Sequence, residues 1–100
     1  MSSYDGRATG LSFGQNRPNP FHQATDISFQ LPAAVHVVVK VYNITGQLVA
    51  MLLDRQGTPG CHTVHWNGCD DQRRRVSSGV YLYRLQAGAG SFTNKMTVLR

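Results

Sequence analysis

The chain has 100 residues, a length that folds as one domain and buries about 60–70% of the surface that the extended chain exposes. Its apolar runs are far shorter than the roughly 20 residues of a membrane span, so no membrane span is expected. Ten basic against five acidic residues give a net charge of +5, but the basic run at 73–75 lacks interleaved aromatics or a recognition helix, so no nucleic-acid partner is expected.

The chain begins with a stretch of Gly, Ser, Asn and Arg that has little periodicity. This composition predicts a linker or an N-terminal arm over residues 1–17, followed by a domain over residues 18–100. From Thr25 to Leu31 apolar residues alternate with polar ones, which is the period of a half-buried strand, and Pro32 ends the pattern.

Charged residues indicate which face of each later strand meets solvent. A charged side chain prefers water, so Lys40 in the predicted strand 35–42 and Arg84 in the strand 80–85 should both point outward. Their neighbours then face the core, because successive side chains on a strand alternate. In the predicted strand 61–66 we expect Val64 and Trp66 to face inward, in which case Cys61, Thr63 and His65 face outward. The predicted core is therefore Ile27, Phe29, Val37, Val39, Val41, Val64, Trp66, Tyr81, Tyr83 and Leu85.

The remaining elements are marked by turn residues. Asn43 to Gly46 predicts a turn, and residues 47–54 predict a strand whose unbroken apolar run leaves its inward face undefined and a short helix open. Residues 88–90 predict a hairpin turn before a last strand over 91–99. Six or seven short strands without a convincing helix predict an all-β fold, an antiparallel β-sandwich.

No paired carboxylates, activated nucleophile or phosphate-binding loop occurs, so no enzymatic activity and no cofactor are expected. Cys61, His62, His65 and Cys69 have metal-ligand chemistry, but on an extended strand Cys61 and His65 lie about 13 Å apart and His62 faces the other way. No metal is therefore expected. A disulfide is disfavoured unless the loop after Trp66 folds back along the strand.

Two further binding roles are weighed against structural ones. A carbohydrate-binding module needs outward aromatic rings, whereas Trp66, Tyr81 and Tyr83 are predicted to face the core. Asp70 and Asp71 lack the alternating companions of a calcium loop, so they are expected to accept hydrogen bonds from local backbone amides.

Five blocks follow one another in the sequence: FGQNRPNPF at 13–21, VKVYNITGQLV at 39–49, GCHTVHWNG at 60–68, SGVYLYRL at 78–85 and KMTVLR at 95–100. With the alternating stretch at 25–32, their order and spacing resemble the Ig-like C-terminal sorting domains of type IX secretion substrates. They also resemble the related Ig-like domain of the flagellar hook-capping protein. The resemblance covers residues 11–100. It departs from the family pattern at 22–24, at Asn67 and at Arg73, without touching the core pattern.

The resemblance implies an immunoglobulin-like sandwich of about seven strands that acts as a non-catalytic C-terminal sorting or anchoring module of an exported bacterial protein. It implies a secreted or cell-surface location, an upstream passenger domain, and recognition by secretion or cell-surface proteins of an outer-membrane machine. The alternative is a structural assembly subunit, either a hook-cap-like domain or a self-associating extracellular filament unit.

The last strand is the predicted recognition site, because an edge strand offers backbone groups to which a receptor sheet can add a strand. The same segment could equally be no more than the closing edge strand of the sandwich. Its two charged ends are expected near the surface. The residues concerned are Lys95, Met96, Thr97, Val98, Leu99 and Arg100.

Overall fold

The structure, a computed structural model, describes residues 12–100 and consists of seven strands joined by turns and loops. No helix occurs among these residues, so none of them forms an apolar helix long enough to cross a membrane. The segment 47–54, for which the sequence also allowed a short helix, forms a strand from Leu48 onward. The strands are β1 (Ser12–Phe13), β2 (Thr25–Leu31), β3 (Val35–Asn43), β4 (Leu48–Gly57), β5 (Gly60–Trp66), β6 (Gly79–Ala87) and β7 (Gly90–Val98).

The strands form two antiparallel sheets that enclose the core between them. One sheet has three strands in the order β1-β2-β5, and the other has four in the order β4-β3-β6-β7. Each sheet is apolar on its inner face because its residues alternate in burial, as β2 does along its whole length. The predicted all-β, seven-stranded immunoglobulin-like sandwich is confirmed.

The core matches the set predicted from the charged residues. All ten predicted residues are buried, whereas Val80, on the same face as Arg84, is 43% exposed. Trp66 lies at the centre, with its ring 5.6 Å from Phe21 and 6.0 Å from Tyr81 in edge-to-face contacts. These contacts join the two sheets through one aromatic cluster.

Strand β4 has no simple alternation because its register against β3 shifts twice. Val39 lies opposite Leu53 while the next residue, Lys40, lies opposite Met51, so Leu52 is an extra residue on β4. Such a bulge changes which side chains face inward. This explains why the sequence left the inward face of this strand undefined.

The N-terminal segment contacts the sandwich from Ser12 onward. Phe13 pairs with Phe29 of β2, and Asn16 is buried. Residues 12–17 therefore lie on the domain as an arm would. The rest of the predicted linker or arm, residues 1–11, lies outside the described residues, and the division of the chain at residue 17 stays a prediction.

Candidate functional site

The six residues predicted to form a recognition site lie along β7, an edge strand of the four-stranded sheet, and directly after it. Alternation divides them into two sets. Met96 and Val98 are buried in the core, whereas Lys95 and Leu99 are exposed. Only the outward set is accessible to a partner without opening the core.

A segment of the same chain, residues 15–22, runs along the free edge of β7, and we call it the edge cover. The amide of Thr97 donates to Asn19 Oδ1 at 2.9 Å, and the carbonyl of Thr97 accepts from the Phe21 amide at 3.1 Å. The Leu99 amide donates to the Phe21 carbonyl at 2.9 Å. The edge cover thus takes the position that an added strand would occupy.

The edge cover is also tied to β7 at both of its ends. At one end the Gln15 side chain donates to the Lys95 carbonyl at 2.8 Å, and at the other the His22 ring nitrogen Nδ1 donates to the Leu99 carbonyl at 2.9 Å. The backbone groups of residues 95–99 that were predicted to pair with a receptor strand are therefore already hydrogen-bonded within the chain. A receptor strand can pair here only if the edge cover is displaced.

Two buried residues anchor the edge cover to the core. Phe21 is fully buried against Trp66. Asn16 is 1% exposed, its amide donates to the Tyr83 hydroxyl at 2.8 Å, and its side chain donates to Thr25 Oγ1 at 2.9 Å. A buried polar group left without a partner costs roughly 1–3 kcal/mol, so these bonds hold the segment in place.

The Tyr83 hydroxyl connects the start of the edge cover to β6. It accepts the hydrogen bond from the Asn16 amide and donates one to the Gly14 carbonyl at 3.2 Å. Burial raises the pKa of Tyr83 above its usual value of 10.0, although the bond from Asn16 opposes this. The neutral hydroxyl is therefore the form that the folded domain favours.

Arg100 ties two loops together, the one before β2 and the one between β5 and β6, through backbone carbonyls. Its guanidinium donates to the carbonyls of His22 at 2.7 Å, Gly68 at 2.6 Å and Val76 at 2.9 Å, and its amide donates to Ser78 Oγ at 2.7 Å. The side chain is exposed, as expected. Each of the three nitrogens of its planar guanidinium nevertheless donates a hydrogen bond to a backbone carbonyl. A lysine, with a single nitrogen, cannot reproduce this geometry.

Gly68 leaves the space that Arg100 needs. Its φ of +76° lies in the left-handed region that favours glycine, and a Cβ placed there would stand 2.7 Å from an Arg100 guanidinium nitrogen. The turn after Trp66 and the arginine contact therefore depend on the same residue.

The two acidic residues of the following loop bind backbone amides. Asp70 accepts from the amides of Gln72 and Arg74, both at 2.9 Å, as predicted, and the bond from Arg74 lowers the pKa of Asp70. The prediction of a local bond is wrong for Asp71, which accepts from the Met51 amide of β4 at 3.1 Å. The loop folds back over β4, a contact between residues distant in sequence.

The residues with metal-ligand chemistry do not converge. On β5, Cys61 and His65 lie on the outer face, where His65 pairs with Asp26 at 2.7 Å, whereas His62 lies on the opposite face of the strand. Cys61 and Cys69 are free thiols. Within residues 12–100, no three His, Cys, Asp or Glu side chains are grouped as ligands for a metal ion.

Two facing antiparallel sheets and a tryptophan-centred core define an immunoglobulin-like β-sandwich. The family model of the FlgD Ig-like domain matches residues 15–91. The chain belongs to this family. No curated protein sequence matches it.

Solved structures with a similar fold include those of three bacterial proteins. Dimeric latent PorU from Porphyromonas gingivalis superposes with a TM-score of 0.72 at 22% identity, over 89% of this chain and 9% of PorU. PorZ, a surface component of the type IX secretion system of the same organism, gives 0.60 at 26% identity, over 86% of this chain and 11% of PorZ. FlgD from P. aeruginosa gives 0.59 at 23% identity, over 90% of this chain and 67% of that chain. The chain thus spans only a small part of PorU and PorZ.

Proposed function

We propose that this domain is a sorting or anchoring module of an exported bacterial protein, placed behind a passenger and recognised by an outer-membrane secretion machine. The observation that carries the proposal is the similarity to PorZ, a surface component of the type IX secretion system, over 86% of the chain at 26% identity. The order of the five sequence blocks supports it. The proposed location of the full-length protein is outside the cell or on its surface.

The proposed recognition uses the folded domain and the outward side chains of the last strand. The edge cover already occupies the backbone groups of this half of β7, so strand addition would first have to break its hydrogen bonds. Lys95 and Leu99 are exposed, and Leu99 is 42% accessible although it is apolar. A receptor that contacts these two side chains needs no rearrangement of the sandwich.

Secretion of a reporter tests the proposal. The full 100-residue chain, fused behind a signal peptide and a reporter, should carry the reporter across the outer membrane of a bacterium that has the type IX machinery. The double variant Lys95→Ala/Leu99→Ala should reduce secretion at least tenfold, because it removes both outward contacts and keeps every backbone bond. The matched double variant Arg55→Ala/Ile44→Ala, which removes one exposed cation and one exposed apolar side chain elsewhere, should secrete normally.

Circular dichroism and thermal unfolding must first show that both double variants are folded. Retention of the unsubstituted fusion in the periplasm would reject the sorting role. Normal secretion of the folded Lys95→Ala/Leu99→Ala variant would reject recognition through these side chains. Deleting residues 95–100 is a poor test, because it removes Met96 and Val98 from the core and should therefore unfold the domain.

The second candidate is a structural assembly subunit, and family membership is the observation that favours it. The chain covers 67% of the solved FlgD chain, a much larger share than of PorU or PorZ. An assembly subunit should form ordered polymers, visible by electron microscopy and analytical ultracentrifugation, whereas a sorting module should stay monomeric. Polymers combined with failure of the secretion assay would favour this candidate.

A further inference from the structure

The outer faces of the two sheets differ in composition. On the three-stranded sheet, opposite residues complement one another: Asp26 pairs with His65 at 2.7 Å, and the hydroxyls of Ser28 and Thr63 lie 3.3 Å apart. This is the polar outer face that an antiparallel sandwich normally presents to water. The four-stranded sheet does not follow this pattern.

An apolar row crosses the outer face of the four-stranded sheet. Leu48 lies opposite Tyr42, Tyr42 lies opposite Leu82, and Leu82 lies opposite Lys95 at the end of the row. Leu48 is 50% exposed, and Val80, next on the same face of β6, is 43% exposed. Apolar side chains that adjoin one another on a surface mark an interaction site more often than scattered ones do.

The adjacent row brings two cations together. Lys40 and Arg84 are direct cross-strand neighbours on this outer face, and Met51 lies on the other side of Lys40. Like charges placed directly opposite each other destabilise a sheet. Among residues 12–100 no carboxylate forms an ion pair with either cation. Within the described part of the chain, the positive charge of Lys40 and Arg84 is thus not compensated, and exposed apolar side chains lie beside it.

We propose that this outer face, which we call the basic-apolar face, binds the acidic surface of a partner protein. Carboxylates of the partner would lie between the two cations and remove their repulsion, while its apolar side chains would cover the neighbouring row. The proposal does not rest on the proposed sorting role. The face consists of Lys40, Tyr42, Leu48, Met51, Val80, Leu82 and Arg84.

The charge pattern argues against other occupants. A second copy stacked face to face would bring Lys40 and Arg84 against the same cations. A nucleic acid would not use the apolar row, which offers aliphatic side chains and a single aromatic ring. An anionic bilayer would need apolar groups that project into the lipid, whereas Tyr42 and Leu82 in the middle of the row are only partly exposed.

A peptide titration tests the inference with the purified full chain. The probe is a seven-residue peptide of alternating glutamate with leucine or phenylalanine, followed by ¹H–¹⁵N NMR at low ionic strength. Saturable shifts should map to β3, β6 and the first half of β4. Lys40→Gln and Arg84→Gln should each weaken binding at least fivefold, while Arg55→Gln, an exposed cation outside the face, should leave it unchanged. A peptide with glutamine in place of glutamate should bind at least tenfold more weakly.

Stability of the unbound domain gives an independent readout. Lys40→Gln should raise the melting temperature, because it removes the like-charge pair, even as it weakens binding. Equal binding of both peptides, or shifts confined to the three-stranded sheet, would overturn the proposal. So would tighter binding to phosphatidylglycerol vesicles than to the peptide, or a dimer in ultracentrifugation that Lys40→Gln abolishes.

Discussion

Two residues each connect segments that lie far apart in the sequence, and neither acts through apolar burial alone. Arg100 bonds to carbonyls at positions 22, 68 and 76, and the Tyr83 hydroxyl bonds to Gly14 and Asn16. A hydrogen bond that closes a long loop fixes more chain than one within a turn. Single substitutions at these two positions should therefore loosen whole segments.

Removing the guanidinium of Arg100 should destabilise the domain measurably. Arg100→Ala should lower the free energy of unfolding by about 1–2 kcal/mol, less than for fully buried charged hydrogen bonds because the side chain is exposed. Arg100→Lys should recover only part of this, since one ammonium cannot reach three carbonyls. Urea unfolding measures the effect, with the exposed Arg55→Ala as control at within about 0.5 kcal/mol of wild type. An unchanged midpoint in Arg100→Ala would contradict the role assigned to it.

Tyr83→Phe should show a pH dependence of known sign. At neutral pH the variant should lose about 1–2 kcal/mol, because the buried Asn16 amide loses its acceptor. The folded state raises the pKa of Tyr83, so the stability that depends on the neutral hydroxyl is complete below pH 10.0 and is lost as pH rises through the folded pKa. The difference between wild type and variant should therefore shrink by about pH 11. Urea unfolding at both pH values checks this, and a growing difference would show that the sign is wrong.

At the scale of strands, the inward face could be predicted where a charged residue marks the outward face. Lys40 and Arg84 assigned β3 and β6 correctly, because a charged residue in a regular strand fixes every neighbour by alternation. The inward face of β4 could not be assigned, since its bulge depends on pairing with β3. The edge cover was missed for a different reason: Gln15 and Lys95 are 80 residues apart, and a segment without periodicity gives no local sign of its partner. The block FGQNRPNPF was its one visible signal.

Weakening the edge cover should expose the backbone of β7 to solvent without disturbing the core. Asn19→Ala removes the acceptor of the Thr97 amide and leaves Phe21 in the core, so it should cost about 1 kcal/mol. Amide hydrogen exchange at Thr97 should then be roughly fivefold faster. Asn67→Ala is the matched control, because it removes a similar acceptor from the Cys69 amide in another loop. Equal acceleration at Thr97 in both variants would mean that the edge cover does not protect β7 specifically.

At the scale of the molecule, the two sheets and the edge cover meet at one aromatic cluster. Trp66 comes from the three-stranded sheet, Tyr81 from the four-stranded sheet and Phe21 from the edge cover. The Trp66 indole also donates to the Cys69 carbonyl at 2.8 Å, which fixes the loop that Arg100 reaches. The parts that the proposed functions use are therefore mechanically joined to the core.

This arrangement predicts a single cooperative unfolding transition. Trp66 is the one tryptophan of the chain, so its fluorescence reports the junction of all three parts, while far-ultraviolet circular dichroism reports the sheets as a whole. The two signals should change at the same urea concentration, because no part can leave the cluster without exposing the others. Trp66→Ala should cost roughly 3–5 kcal/mol, a large share of the about 5–15 kcal/mol that holds a small domain together, and should leave the chain close to unfolded.

In the unsubstituted chain, fluorescence that changes at a lower urea concentration than circular dichroism would instead mean that the edge cover and Phe21 detach first. In that case β7 would be open to strand addition in a partly unfolded state, and recognition through its backbone would replace recognition through Lys95 and Leu99.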